Sequence, residues 1–200
     1  MRTKSLVMAA CAVLGAAAAQ AQSPAASACP PYSFLSGNLA SNPSFEFPSP
    51  PGTPVCWNAG DPAPPLSAAK GWYMHSSNDS ATVCSIQQPT TVPGPGGSRM
   101  LLVRAGSNEG GVYQNVGLDP TKSYMFSVWV YVHSGHVAIQ SNALTGGPVA
   151  WTTKIGEWEQ LRVCTNSLFS TNSLVVYNQD PSGGSFLVDR AELREIPTLE

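Results

Sequence analysis

The residues best suited to chemistry lie in "SYMFSVWVYVHSGHVAIQSN", where Trp129, Tyr131 and His133 alternate along one run and His136, Gln140 and Asn142 fall along the next. Side chains in a strand alternate faces, and a two-residue turn fixes the register of a hairpin. With Ser134-Gly135 as the turn, His133 opposes His136, Tyr131 opposes Ala138, and Trp129 opposes Gln140. The spacing then predicts one face made of Ser127, Trp129, Tyr131, His133, His136, Gln140 and Asn142, with Ala138 leaving space beside Tyr131. A sugar presents apolar C–H faces and a rim of hydroxyls, which suit aromatic planes beside amides and imidazoles. Trp129 and Tyr131 are expected to stack on the ring, and His133, Gln140 and Asn142 to hold hydroxyls. A plainer reading puts both aromatics beneath a neighbouring loop. The opposite face, Tyr124, Phe126, Val128, Val130, Val132, Val137 and Ile139, reads as core.

Other chemistry is poorly provided for. Glycan cleavage usually needs two positioned carboxylates, yet the acids fall mainly in turns (Asp61, Asp79, Asp119, Asp180) or beside Trp158 (Glu157, Glu159), and none lies on the proposed aromatic face. The chain has neither a Gly-x-Ser-x-Gly elbow nor a His-Glu-x-x-His motif. "VVYNQD" echoes a strand of some jelly-roll polysaccharide lyases, but their companion Arg-rich and Gln-x-His motifs are missing. The two histidines beside the turn lack a visible third metal ligand, and His75 is distant in sequence. Trp158 reads as structural, while Trp72, Tyr73, Tyr113, Trp151 and Tyr177 are weaker platform candidates because no hairpin fixes their register.

The elements that must position these residues are strands. From Gly71 onward, runs of β-branched and aromatic residues alternate with Gly, Pro, Asn and Ser clusters, and no helical period of useful length appears. Strands are expected at roughly 38–46, 71–75, 81–87, 99–105, 110–116, 123–133, 136–142, 148–154, 158–165, 172–178 and 185–195, enough for two antiparallel sheets packed as a sandwich. Prolines 48, 50, 51, 54, 62, 64 and 65 mark an irregular segment. "VPGPGGS" and "QDPSGGS" lack the Gly-Lys-Ser/Thr of a phosphate loop and read as turns.

Arg2 and Lys4, an apolar run from Leu6 to Ala19, and Ala19-Gln20-Ala21 form the three regions of a secretory signal peptide over residues 1–21. The expected product is secreted or periplasmic: a disordered or irregular leader over 22–37 and one domain over 38–197. Charged residues make up 11% of the chain and the formal net charge is −2, so no basic field holds nucleic acid or an anionic membrane. After signal removal Cys29, Cys56, Cys84 and Cys164 remain, an even number that predicts two disulfides with connectivity open among three pairings.

"NLASNPSFE", "GGVYQNVGLDPTKSYMFSVWVYV", "GEWEQL" and "SFLVDRAELRE", in that order, resemble the CenC-type carbohydrate-binding modules, a jelly-roll group within the galactose-binding-like superfamily. The resemblance covers most of Asn38 to Glu195. It implies an all-β antiparallel sandwich that binds a poly- or oligosaccharide as a monomer without catalysis. It also implies a structural calcium where the first and last strands meet, with carboxylates from Glu46 and Asp189 and backbone carbonyls completing an oxygen shell. Without the ion, Glu46 would be exposed and Asp189 would cap a turn. The Cys- and Pro-rich insertion between Gly52 and Lys70 departs from the family pattern. The other functions open to such a chain are adhesion to a protein partner and jelly-roll lyase activity.

Overall fold

Runs of β-branched and aromatic residues, punctuated by turn formers, build eleven strands in the structure, a computed structural model that describes residues 29, 33–46, 55–58, 69, 71–75, 81–141, 147–166 and 170–198. They are β1 (Val55–Asn58), β2 (Tyr73–His75), β3 (Ala81–Gln87), β4 (Arg99–Ala105), β5 (Gly111–Gly117) and β6 (Ser123–Ser134), then β7 (Val137–Ser141), β8 (Val149–Trp151), β9 (Trp158–Asn166), β10 (Thr171–Asn178) and β11 (Gly184–Ile196). The described residues contain no helix. The expected strands at 81–87 and 99–105 are met residue for residue.

Two sheets form, with orders β1-β3-β4-β11-β6-β9 and β2-β5-β10-β7-β8, and every adjacent pair is antiparallel. They pack face to face over Val83, Leu101, Phe126, Val128, Val130, Ile139, Leu174, Val176, Phe186 and Leu193, all buried in one cluster. Each such side chain contributes about 1.5–3 kcal/mol by leaving water. The predicted core face of β6 and β7 is buried from Tyr124 through Ile139.

The hairpin itself is not formed. β6 lies between β11 and β9 in the six-stranded sheet, whereas β7 lies between β10 and β8 in the five-stranded one. Ser134 and Gly135, the latter at φ 91, instead carry the chain over the end of the sandwich from one sheet to the other. An arch of this kind buries the same alternate residues as a hairpin, because both strands still turn one face to the core. It sends the opposite faces to opposite sides of the molecule.

Two further expectations change. Residues 38–46 form no strand: they run beside β11 through Leu39 N to Leu193 O (2.7 Å) and Ala191 N to Pro43 O (2.7 Å). Val55–Asn58, expected to be irregular, is the edge strand β1, joined to β3 by Cys56–Cys84. The second disulfide, Cys29–Cys164, fastens the leader to β9, and Leu35 N bonds Glu195 O at 2.9 Å. Residues 1–28 and Asn142 lie outside the described residues.

Candidate functional site

The arch divides the residues that sequence spacing placed together. Trp129 and Tyr131, half-buried, and exposed His133 lie on the outer face of the six-stranded sheet. There Tyr131 meets Trp158 edge-on at 5.7 Å and His133 at 5.0 Å. Gln140 and His136 lie on the far side of the molecule, with the five-stranded sheet. Ala138 sits beside Tyr177 and opposite Trp151, not beside Tyr131.

The outer face of the five-stranded sheet gathers the remaining aromatics, because strand pairing brings residues distant in sequence onto two adjacent rungs. One rung reads Tyr73, Tyr113, Val175, Gln140, Val149, and the next reads His75, Gly111, Tyr177, Ala138, Trp151. Five strands at about 4.8 Å spacing make each rung roughly 19 Å long. Tyr73, 38% exposed, stacks on Tyr113 at 5.4 Å. At the other end His136 stacks on Trp151 at 5.2 Å. Between them His75 meets Tyr177 edge-on at 5.7 Å and Tyr113 at 6.2 Å.

Gly111 makes this possible. A Cβ there would stand 2.6 Å from the Tyr177 Cα, so only glycine lets the ring of His75 reach Tyr177 across β5. Ala138 keeps the rung low on the other side. Val175, Ala138 and Tyr177 form a small hydrophobic layer, with Tyr113, Val149 and Trp151 packed against it.

Polar groups converge on the same face. Tyr177 Oη donates to Gln140 Oε1 at 3.3 Å, Gln140 Nε2 donates to Gly147 O at 3.1 Å, and His136 Nε2 lies 3.2 Å from Thr152 O. Trp151 Nε1 has no hydrogen-bond partner among the described residues. Burial holds His75 below its ordinary pKa, partly offset by the nearby charge of Glu109. Burial likewise raises the Tyr177 phenol, opposed by a hydrogen bond with Gln179. Both are therefore neutral at neutral pH. The outward positions of these five strands carry no Asp, Glu, Lys or Arg. Such a face can stack on rings and exchange hydrogen bonds with hydroxyls, but it offers no carboxylate pair for acid–base chemistry.

Trp72, one of the weaker platform candidates, belongs to the core: it is fully buried against Phe45 at 5.3 Å and donates to Ser41 O at 3.0 Å. Sequence reasoning ranked Tyr73, Tyr113, Trp151 and Tyr177 low and gave His75 no part in a sugar site. Their local signal was a Tyr or Trp in an alternating run, and nothing local shows which strands become neighbours.

Glu46 and Asp189 meet at a different place, around the Gly94–Ser98 loop. Glu46 Oε1 accepts from Ser98 N (2.6 Å) and Arg99 N (2.9 Å), and its Oε2 accepts from Ser98 Oγ (2.8 Å). Asp189 Oδ2 accepts from Gly96 N (2.9 Å), and Oδ1 from Arg190 N (2.7 Å). A Cβ on Gly96 would stand 3.0 Å from Asp189 Oδ1, and one on Gly97, at φ 40, would collide with the Glu46 carboxylate. Each acid adjoins a residue in the left-handed region, Phe45 at φ 57 and Arg190 at φ 45. Backbone strain of that kind costs of order 1–3 kcal/mol and persists where the surroundings impose it. Phe45 is buried and anchors the turn that aims Glu46 at the loop. Asp189 is fully buried, and burial pushes its pKa up to about 6, with the charge of Glu46 adding to the effect.

A buried carboxylate beside a second one, with no Lys or Arg forming an ion pair to either among the described residues, is a donor set suited to a hard cation. Among the described residues no three His, Cys, Asp or Glu cluster as metal ligands, so further oxygens would come from backbone or water.

No protein-family model matches the sequence, and no curated protein matches it. Solved structures do. TmCBM61 in complex with β-1,4-galactotriose is 16% identical, with a TM-score of 0.52 over 79% of this chain and 98% of that one. A cyclase from Fischerella sp. TAU, in complex with 4-(1H-indol-3-yl)butan-2-one, is 15% identical, with a TM-score of 0.57 over 82% of this chain and 100% of that one. The arabinose-bound α-L-arabinofuranosidase MgGH51 is 18% identical, with a TM-score of 0.52 over 79% of this chain and 26% of that one, so this chain spans about a quarter of its length. At these identities the likeness establishes the β-sandwich fold. A sugar-bound module and enzymes share it, so the site must decide function.

Proposed function

We propose that the protein binds a neutral poly- or oligosaccharide, without cleaving it, on the outer face of the five-stranded sheet. The observation that carries this reading is the pair of adjacent rungs holding Tyr73, Tyr113, His75, Tyr177, Gln140 and Trp151 with no charged side chain among them. Tyr113 and Trp151 are the stacking planes; Gln140 and Tyr177 Oη are the hydroxyl partners. The solved structure in complex with β-1,4-galactotriose shares the fold and supports the same class of ligand. The CenC-type order of motifs supports membership of that group of modules, and two disulfides support an extracytoplasmic protein.

Calcium at Glu46 and Asp189 is part of this reading. The ion would neutralise buried Asp189 and half-buried Glu46 and join the first folded turn, the 94–98 loop and β11, at a distance from the sugar face. Glu46 therefore serves as a staple.

Affinity electrophoresis in gels containing soluble β-glucan, xylan, mannan or galactan tests the proposal. Retardation by one polymer, lost in Tyr113→Ala and in Trp151→Ala while melting temperatures hold, is the expected result. Wild-type mobility unchanged in every neutral gel would overturn it, as would release of reducing sugar from the retained polymer.

A further inference from the structure

The outer face of the six-stranded sheet differs from its counterpart in charge. Tyr131, Trp158 and His133 form a contiguous aromatic group there, and Trp129 stands on the next rung opposite Gln160. Most cations of the described residues are already paired or buried, and one pair, Arg194 with Glu192, lies on this same face near Ser127. Lys122, Lys154, Arg190 and Arg194 pair with glutamates, and the Arg99 guanidinium is buried against Ser85.

The two that remain, Arg104 and Arg162, are exposed, form no ion pair among the described residues, and both lie on this face. Arg162 is opposite Ser127, one same-face step or about 7 Å from Trp129, and donates through Nη2 to Gln160 Oε1, the side chain opposite Trp129. Arg104 is opposite Ser185, whose other partner is Ser134 beside His133, about 10 Å across the sheet. The aromatics thus lie along a stripe with a guanidinium at each end. Within it, Trp158 Nε1 and Ser127 Oγ have no hydrogen-bond partner among the described residues.

We propose that this face is a second binding site, for an anionic polysaccharide whose acidic groups pair with Arg104 and Arg162 while a sugar ring rests on Tyr131 and Trp158. A guanidinium fork matches carboxylate and sulfate geometry, and stacking is the contact that the aromatic planes offer a ring. General attraction of polyanions does not account for such binding, because the whole chain carries a net charge of −2. The site does not depend on the neutral-sugar reading of the other sheet, from which it points away.

The test is affinity electrophoresis of the full chain at low ionic strength in gels containing polygalacturonate, alginate or dextran sulfate. Retardation by at least one is expected, with carboxylated and sulfated polymers telling the two acidic groups apart. The double variant Arg104→Gln/Arg162→Gln should bind about tenfold more weakly, as two lost exposed ion pairs allow. Tyr131→Ala should weaken binding severalfold, and added salt should do the same to the wild type. Tyr113→Ala/Trp151→Ala should leave polyanion binding intact, which separates failure here from failure of the neutral-sugar reading. No retardation by any of the three polymers overturns the proposal, as does retardation unaffected by the arginine substitutions, whose exposed side chains leave the fold in place. Retardation that the arginine substitutions abolish and a folded Tyr131→Ala leaves unchanged also overturns it, since charge alone would then suffice.

Discussion

The two outer faces of the sandwich are built from the same kinds of aromatic residue and differ in what stands beside them. On the five-stranded sheet the aromatics share their rungs with Gln140, Gly111 and Ala138, and charge is absent. On the six-stranded sheet they share the face with Arg104, Arg162, the Cys56–Cys84 bond and the buried Asp189. Aromatic content therefore does not specify a ligand. The neighbours across the rung decide whether a ring meets hydroxyl partners or a charge.

The sharpest way to break the contrast is to strip one face. Tyr113→Ala/Trp151→Ala should reduce neutral-glycan affinity about a hundredfold, two stacking contacts each being worth about 0.5–1.5 kcal/mol beyond area burial. Isothermal titration with the best neutral polymer measures this. A loss of equal size for polygalacturonate would show that the two faces are not independent.

The next effect separates the five-stranded face from the acid pair, whose Asp189 lies beside Trp129 on the other sheet. EDTA should lower the melting temperature by about 5 °C, the shift expected for roughly 2 kcal/mol of lost ligand stabilisation in a domain of this size. Added calcium should restore it. Gly97→Ala, which forces the Glu46 carboxylate aside, should abolish the calcium response in differential scanning calorimetry and leave glycan affinity at fixed temperature unchanged. A melting temperature indifferent to EDTA and calcium would remove the ion from the account.

The smallest effect concerns pH and belongs to one face only. Unfolded His75 titrates near its ordinary value of 6.5 and the folded residue below it, so the unfolded chain binds the proton more readily. The stability gained by keeping His75 neutral is fully present above that ordinary value and is lost as pH falls through the folded one. Neutral-glycan affinity should weaken once pH falls far enough below the ordinary histidine value for a cation to form between Tyr113 and Tyr177, with Glu109 nearby moderating the change. His75→Gln should flatten the profile, and a profile identical in the variant would assign the pH dependence elsewhere.

These experiments turn on a distinction that alternation of residues could not supply. Period-two patterning made most strands legible and picked out the buried side of β6 and β7, because burying one face is a local requirement. It left open whether Ser134-Gly135 folds β7 back beside β6 or passes it to the other sheet, since both solutions bury the same residues. The pairing of β2 with β5 and of β5 with β10 joins segments dozens of residues apart, so His75, Tyr113 and Tyr177 carry no local mark of proximity. β1 was hidden by the prolines around it, Pro54 immediately before, although Val55–Asn58 itself contains none and lies at a sheet edge. The acid pair was legible through the resemblance of "PSFE" and "LVDRAEL" to a known family. Its physical reason, a glycine loop threaded between two carboxylates, required the fold.

The Cys29–Cys164 bond has a mechanical consequence. Tension applied upstream of Cys29 and downstream of Ile196 would pass through the sulfur bridge directly to β9, and the 135 residues of sequence separation between the cysteines could not lengthen under load. Only the chain after Cys164 could be drawn out, and beyond the last two residues of β9 its strands are β10 and β11, each held between two antiparallel partners. A pulled molecule would thus resist as a short, stiff link, with both outer faces intact until an interior strand gives way.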